Sequence, residues 1–267
     1  VAAGEVIEID PRAPKPKTAR LRALGDELIA YVDPAVVVVR KPAGISTVPF
    51  EGDVGGEEEE TLDALVRDLL SQQAKRPGGA RIVGRTPLGV VQRLDKGTSG
   101  LLVFSRTVAA KKHLSQQLRQ RSMFRRYLAI AHGDVKSRTF RSLIAPNRGD
   151  GLRGSVGRMG GRAPREEDLA VTHVERIEGL RGATLIACRL ETGRTHQIRI
   201  HLAEAGHPLV GEHVYVRDFK GAKIAAPRVM LHAAELGFVH PANEREMSFR
   251  WEPPSDFESV LEGLREE

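Results

Sequence analysis

Residues 92–102 have the sequence QRLDKGTSGLL, in which a charged turn separates two apolar segments. The flanking residues predict one strand over 89–92 and a second over 101–104. If the turn begins in extended conformation, the side chains of Arg93 and Asp95 project from the same side. Loops held by rigid strands commonly carry catalytic groups. An isolated Arg-x-Asp is also typical of a capped turn with a solvated arginine, so this stretch alone leaves both interpretations open.

The chain around this turn predicts strands linked by hairpins more often than by helical crossovers. Helices are expected from Leu62 to Leu70 and over 107–119. Further strands are expected over 35–39, 127–131, 170–177 and 183–190, and near Val229 and Phe249. This order favours an α+β fold with a largely antiparallel mixed sheet and flanking helices. We expect residues 1–21 to form an N-terminal strand and linker, and residues 22–267 to form one domain.

The composition is that of a folded, basic protein. Its 267 residues are 40% hydrophobic, which is enough for a sizeable core. Lys and Arg number 41 against 35 acids, and the net charge of +6 favours a polyanionic partner. No apolar run approaches the ~20 residues of a membrane span, and no leader opens the sequence. The single cysteine, Cys188, lies in an apolar stretch and predicts a buried thiol, which suits a reducing cytoplasm.

Residues 192–202, TGRTHQIRIHL, fit two secondary structures. Their apolar residues alternate as in a strand, but they also recur at helical spacing between Ile198 and Ala205. We choose the helix, with Thr195 as its N-cap. Arg199 then emerges beside an apolar face, where a cation requires an anionic partner.

Three histidines in the same region, His196, His201 and His207, do not match the spacing of a metal site with a further acidic or cysteine ligand. We expect core or hydrogen-bonding histidines and no bound metal.

Residues 124–129, FRRYLA, interleave basic charge with an aromatic ring. Such a segment can hold phosphates while a base stacks on Tyr127. A structural tyrosine is the alternative.

Together these segments resemble the RluA family of pseudouridine synthases over residues 31–253. The matching segments are, in order, Lys41 to Gly44; Arg93 to Asp95 with Thr98 to Gly100; Arg125, Tyr127 and Ala129; Gly193 to Arg199; and Leu231 to Ala233. The resemblance implies a central active-site cleft, isomerisation of specific uridines in structured RNA, and no cofactor. Gln92 and Lys96-Gly97 depart from the family's usual residues, which affects the expected contacts to RNA.

The resemblance also implies roles for individual residues. Asp95 would be the catalytic aspartate, Arg199 its salt-bridge partner and Tyr127 the ring against the target base. Arg93 would fill the gap left by the flipped nucleotide, and Leu231, with Met230 adjacent, would form the wall of the uracil pocket. The remaining RNA-binding positions would be Arg125, Arg126, Arg194, His196 and Gln197.

The expected substrate is large-subunit ribosomal RNA, with transfer RNA as the alternative, and the expected protein is a cytoplasmic monomer that contacts no membrane. Residues 1–10 resemble the last strand of an S4-type RNA-binding module. Two other functions stay open from the residues alone. One is a noncatalytic RNA-binding protein on the same fold, and the other is a metal-dependent nuclease.

Overall fold

The computed structural model describes residues 25–49, 60–75, 87–147, 152–155 and 168–265. The N-terminal strand and linker predicted over 1–21, with its S4-like segment, lie outside these residues. Within them, one eleven-stranded sheet dominates and the helices pack against it. The α+β class with a largely antiparallel mixed sheet is therefore confirmed.

The helices and strands of the described residues follow in chain order. They are a 3-10 helix at Gly25–Leu28, β1 (Ile29–Val32), β2 (Val36–Lys41), α1 (Leu62–Lys75), β3 (Gly89–Val90), β4 (Ser99–Ser105), α2 (Val108–Arg119), β5 (Phe124–His132), β6 (Arg138–Ala145), β7 (Gly154–Ser155), β8 (Leu169–Leu180), β9 (Ala183–Leu190), α3 (Gln197–Glu204), β10 (Leu231–Val239), β11 (Glu246–Arg250) and α4 (Ser255–Arg265).

The strand order is β1-β2-β4-β10-β5-β9-β8-β6-β7, with β3 paired to β4 and β11 paired to β10. The β4–β10 contact is parallel, and the other pairings among the described strands are antiparallel. Strand β10 thus lies between β4 and β5, although it follows both by about a hundred residues of sequence.

The central sheet has two packed faces, because successive side chains of a strand point to opposite sides. On β5, Tyr127 and Ala129 belong to a core that includes residues of α1 and α3; we call this side the cleft face. Leu128 and Ile130 point the other way and pack with α4, and α2 covers the neighbouring strands on that side; we call it the back face.

Most predicted elements are confirmed, including the helix after position 195, but its first turn differs from the prediction. The N-cap is His196, in the left-handed region at φ 59°, rather than Thr195. The preceding turn is closed by Gln197, whose Oε1 accepts from the Thr192 hydroxyl at 2.8 Å and from the Arg194 N–H at 3.0 Å. The side chain of Gln197 therefore organises the helix start.

Strand β6 and helix α4 were not anticipated. The β6 sequence is polar and half exposed, so its alternation is weak. Helix α4 did carry a signal, because Phe257, Leu261 and Leu264 recur at helical spacing after Pro254 and are buried. The strand expected near Val229 begins at Leu231.

Cys188 is fully buried, which confirms the prediction of a buried thiol, and burial raises the pKa of that thiol to about 12. Within the described ranges, no cluster of three or more His, Cys, Asp or Glu side chains is arranged to hold a metal ion. No helix there combines the length and apolarity needed to cross a membrane.

Candidate active site

A cleft of about 1180 Å³ opens where the β3–β4 loop, the start of β5 and the segment leading into α3 meet. Nine of the residues singled out from the sequence line it. They are Arg93, Asp95, Arg125, Tyr127, Arg194, His196, Gln197, Arg199 and Leu231. Two others, Arg126 and Met230, do not. The structure thus brings together segments that are more than 130 residues apart in sequence.

The β3–β4 loop holds Asp95 at the cleft by hydrogen bonds on both sides of that residue. The N–H of Thr98 donates to the Asp95 carbonyl at 3.0 Å and closes a turn. Before the aspartate, Leu94 is buried, and its backbone exchanges two hydrogen bonds with the Thr47 hydroxyl at 2.9 and 3.1 Å. Leu94 points into the core, so its neighbours Arg93 and Asp95 face the cleft, as alternation along the chain requires.

Lys41, the last residue of β2, also holds the β3–β4 loop by hydrogen bonds. Its side chain is fully buried, and Nζ donates to the carbonyls of Pro42, Lys96 and Thr98 at 3.1, 3.2 and 2.7 Å. Burial lowers the pKa of Lys41 to about 7, although the nearby charge of Asp95 opposes that shift. The sequence marked this lysine as part of a family segment but gave no role for it; the structure shows that it ties β2 to the aspartate loop.

Gly100 lets β4 approach β10 closely beside the cleft. Its φ is +137°, and a Cβ built there would lie 2.4 Å from the backbone nitrogen and the Cβ of Ala233. A side chain at position 100 would therefore force the two strands apart. The close approach sets the position of Leu231, two residues earlier on β10, relative to the aspartate loop.

Arg199, on α3, connects the aspartate to a second carboxylate. Its Nη1 lies 3.5 Å from Asp95 Oδ2, which is a long contact. Its Nε and Nη2 donate to the two carboxylate oxygens of Glu212 at 2.6 and 2.8 Å. The principal partner of Arg199 is therefore Glu212, which no pattern in the sequence indicated.

Glu212 is itself firmly held. Its side chain is 0% exposed, and Oε1 also accepts the backbone N–H groups of His213 and Val214 at 3.0 and 2.9 Å. Burial acts to raise the pKa of Glu212, but the hydrogen bonds and charge of Arg199 outweigh it and lower the pKa. Burial likewise opposes the charge of Arg199, and Glu212 outweighs it, so the pKa of Arg199 is raised. Both groups stay ionised, and Asp95, unlike Glu212, lines the cleft.

His196 and Tyr215 extend this network. His196 Nε2 lies 3.8 Å from Asp95 Oδ2, and Nδ1 is 2.7 Å from the Tyr215 hydroxyl. Burial lowers the pKa of His196, despite the charge of Asp95, so the ring is neutral at neutral pH. The guanidinium of Arg199 lies over the Tyr215 ring at 5.3 Å. Tyr215 therefore contacts both His196 and Arg199, the two side chains that lie next to Asp95.

Tyr127 and Leu231 form the apolar side of the cleft. They lie on neighbouring strands, because β5 and β10 pair with Leu231 opposite Ala129 and Ala233 opposite Tyr127. Tyr127 is 8% exposed, and burial raises the pKa of its phenol, so the ring is uncharged. A planar ring placed between these side chains and Asp95 would meet an apolar surface on one side and a carboxylate on the other.

Three predicted site residues have other surroundings. Arg126 is on the back face and pairs with Glu235 at 3.0 Å and with Glu175 at 3.6 Å. Met230 is fully buried in the back-face core with Ile130 and Phe257. Gln197 lines the cleft, but its amide is bonded within the protein, donating to Val171 and Thr172 at 3.0 and 2.9 Å. The first two follow from strand alternation, which turns neighbours of Arg125 and Leu231 away from the cleft.

Basic side chains surround the cleft mouth. Arg93 and Arg194 were expected there, and both are exposed. Arg119, Arg121 and Arg153 also line the cleft and were not assigned to the site. The signal for them was compositional, since they lie in two arginine-rich segments, one at the end of α2 and one over residues 145–165.

Comparison with known proteins gives a consistent result. The family model described as RNA pseudouridylate synthase matches residues 35–204. The chain is 38% identical over 247 residues to ribosomal large subunit pseudouridine synthase D of Zymomonas mobilis, covering 88% of this chain and 72% of that protein. It is 36% identical over 246 residues to the protein of the same name from Neisseria meningitidis serogroup A, covering 89% of this chain and 61% of that protein. The chain therefore spans between about three fifths and three quarters of the length of these relatives.

An RNA pseudouridine synthase of Bacillus subtilis, described as uncharacterized, is 34% identical and covers 97% of this chain and 80% of its own. Among solved structures, human RNA pseudouridylate synthase domain containing 4 superposes with a TM-score of 0.68 at 22% identity, covering 92% of this chain and 96% of that chain. Human domain containing 1 gives 0.61 at 23% identity, covering 87% of this chain and 86% of that chain. The two structures establish the shared fold.

Proposed function

This chain belongs to the RNA pseudouridylate synthase family, and on that premise we propose that it converts specific uridines of structured RNA into pseudouridine through the carboxylate of Asp95. The observation that supports the proposal most directly is the setting of that carboxylate. Asp95 lies 3.5 Å from Arg199 in a cleft that is walled by Tyr127 and Leu231 and rimmed by arginines. The proposal needs no metal or organic cofactor.

We propose large-subunit ribosomal RNA as the substrate, because the relatives from Zymomonas and Neisseria are named for it. The net charge of +6 and the arginines at the cleft mouth suit such a polyanion. A transfer RNA remains the alternative substrate. The cytoplasmic location and the monomeric state stay predictions from the sequence.

The reaction breaks the bond between uracil N1 and ribose C1′ and forms a bond between C5 and C1′. C5 loses a proton and N1 gains one, so atoms and charge balance and no redox change occurs. The ionised Asp95 carboxylate either attacks C1′ or removes a ribose proton to give a glycal-like intermediate. Both routes require a charged aspartate that is open to the cleft.

Arg199 and Glu212 together form the charged surroundings of the Asp95 carboxylate. Arg199 provides positive charge beside Asp95. Glu212 accepts the two shortest hydrogen bonds of Arg199 and thereby fixes the orientation of the guanidinium. Asp95 thus lies beside a positive charge without being enclosed in a tight bidentate pair. Its side chain stays 25% exposed to the cleft.

The target nucleotide must leave its stack to reach Asp95, which costs a few kcal/mol and costs least in loops that are already unpaired. Tyr127 would stack on the everted base, and Leu231 would contact its edge. Arg93 is exposed at the cleft mouth, where its side chain would occupy the gap left in the RNA.

The decisive test is the substitution Asp95→Asn, which keeps the size of the side chain and removes its charge. We expect pseudouridine formation to fall on the order of 10⁴-fold while RNA binding survives. Release of tritium from C5-labelled uridine in a large-subunit ribosomal transcript measures the reaction. Asp134→Asn, at an exposed aspartate outside the cleft, is the matched control and should retain full activity. Turnover by Asp95→Asn comparable to this control would reject the proposal.

Stacking on Tyr127 is tested by comparing two substitutions. Tyr127→Phe keeps the ring and should bind RNA nearly as well as the wild type, whereas Tyr127→Ala should lose about 1–3 kcal/mol of binding free energy. Fluorescence anisotropy with a labelled substrate loop gives both affinities. Equal losses in the two variants would exclude a stacking role.

A further inference from the structure

Arg125 is a buried cation whose described surroundings offer only weak compensation. The residue is 6% exposed and lies on the cleft face of β5, two positions before Tyr127. Its Nη2 makes two long hydrogen bonds, to the carbonyls of Leu190 at 3.4 Å and Glu191 at 3.3 Å. Its Nε is buried and has no hydrogen-bond partner.

No carboxylate of the described residues forms an ion pair with this guanidinium. The backbone carbonyl of Glu191 contacts Arg125, but the carboxylate of Glu191 contacts Arg121 at 3.3 Å and His173 at 2.6 Å instead. Only the backbone carbonyl of Glu191 reaches Arg125.

Two other arginines near the sheet have carboxylate partners within the protein. Arg199 is bonded to Glu212 at 2.6 and 2.8 Å, and Arg126, the next residue on β5, is bonded to Glu235 at 3.0 Å. Burial lowers the pKa of Arg125, yet a guanidinium remains protonated at neutral pH. A buried charge without a counter-ion is unfavourable, so this position suits an anion that comes from outside the protein.

On the cleft side, Arg125 is bounded by a residue that has no side chain. Gly193, an exposed residue of the cleft wall, lies beside the guanidinium, and a Cβ at position 193 would be 2.9 Å from Arg125 Nη1. Any larger side chain there would crowd the charged group. Because Arg125 and Tyr127 are alternate residues of one strand, their Cα atoms are about 7 Å apart and their side chains project from the same face, so an anion at Arg125 would be near a base that stacks on Tyr127.

We propose that Arg125 is a phosphate-binding residue that holds a backbone phosphate of the RNA next to the nucleotide in the cleft. The guanidinium fork matches the geometry of phosphate oxygens, and the low exposure strengthens the contact. This inference rests on the proposed RNA substrate. It adds a fixed point from which the everted nucleotide is directed at Asp95.

The test compares Arg125→Met with Arg126→Met, which are adjacent residues on opposite faces of the same strand. Binding of a short labelled oligouridine is measured over a series of NaCl concentrations. For Arg125→Met we expect weaker binding and a decrease of about 0.7 in the slope of log Kd against log salt, the value for one phosphate contact on a single strand. Arg126→Met should keep the wild-type slope, because that arginine is already paired within the protein.

Two further readouts separate this role from a structural one. Removing a charge that has no counter-ion should leave the Tm of free Arg125→Met equal to that of the wild type or above it. Arg125→Lys should keep the salt slope, because the charge remains, and bind more weakly, because the fork is lost. An unchanged slope in Arg125→Met, or a Tm below that of Arg126→Met, would overturn the assignment.

The outcome is independent of catalysis. If the wild type releases no tritium from any ribosomal transcript but Arg125→Met shows the decreased slope of log Kd against log salt, the isomerase proposal fails and the phosphate site stands. If the wild type is active and Arg125→Met binds with the wild-type slope, the phosphate site fails and the isomerase proposal stands.

Discussion

Two arginine–carboxylate pairs of this protein have nearly the same geometry and very different surroundings. In the cleft, Arg199 donates to Glu212 at 2.6 and 2.8 Å, and their side chains are 8% and 0% exposed. At the end of α4, Arg265 donates to Glu178 at 2.9 and 2.6 Å, and their side chains are 45% and 35% exposed. In both pairs the glutamate pKa is lowered and the arginine pKa is raised.

The difference shows that neither bond length nor the direction of a pKa shift identifies a functional ion pair. In the exposed pair the shift comes first from the mutual hydrogen bond. In the cleft the first effect is burial, which opposes both charges and has to be overcome by the pairing. Only the buried pair is joined to a third charged group, Asp95, that faces an open cleft. The site is distinguished by the carboxylate of Asp95, which is paired with Arg199 only by a long contact and stays partly exposed to the cleft.

The two ion pairs should differ most in their response to the same substitution, glutamate to glutamine. Glu212→Gln leaves Arg199 buried without its main partner, so we expect the free energy of unfolding to fall by about 3–5 kcal/mol. We also expect pseudouridine formation to be lost, since Arg199 is no longer oriented toward Asp95. Urea unfolding and tritium release measure the two effects. A fully stable and active Glu212→Gln protein would mean that the buried pair is no more important than the exposed one.

Acid is expected to destabilise the protein through two buried histidines, His201 and His232. Burial lowers the pKa of His201 and of His232 to about 4. The unfolded chain takes up these protons near pH 6.5, whereas the folded protein resists them until about pH 4. Stability is therefore complete above pH 6.5 and decreases as the pH falls toward 4, by about 3 kcal/mol for each histidine.

Glu212 adds to this loss only below pH 4.5, because its pKa is lowered and its contribution disappears as it is protonated. Urea unfolding between pH 7.5 and 4 measures the dependence. His201→Gln and His232→Gln should each flatten it, whereas Glu178→Gln should not. A free energy of unfolding that stays constant over this range would contradict the assignment.

The smallest effect is expected at the exposed pair. Glu178→Gln should leave the Tm within about 2 °C of the wild type, since exposed ion pairs contribute little. Differential scanning fluorimetry at low and high NaCl is the measurement, and any small loss should vanish in high salt. A large loss that persists in salt would place the exposed pair in the same class as the buried one.

The sequence was sufficient for the parts of this molecule that depend on local pattern. Alternation placed Arg93 and Asp95 on one side of their loop, and helical spacing identified α3. The need for an anion near Arg199 was also correct. Its principal partner was missed because Glu212 follows a Pro-Leu-Val-Gly segment with no periodicity, and only the three-dimensional path of the chain brings it to the helix. Met230 was placed in the pocket because adjacent residues were treated as neighbours in space, whereas a strand separates them onto opposite faces.

The position of β10 determines when this enzyme becomes complete during synthesis. Asp95 precedes β4 and Tyr127 lies on β5, and these two strands are held apart and aligned by a strand that begins at residue 231. A nascent chain that has not yet released that strand from the ribosome has both side chains but no cleft between them. A shortened chain that ends before residue 231 should therefore form no pseudouridine.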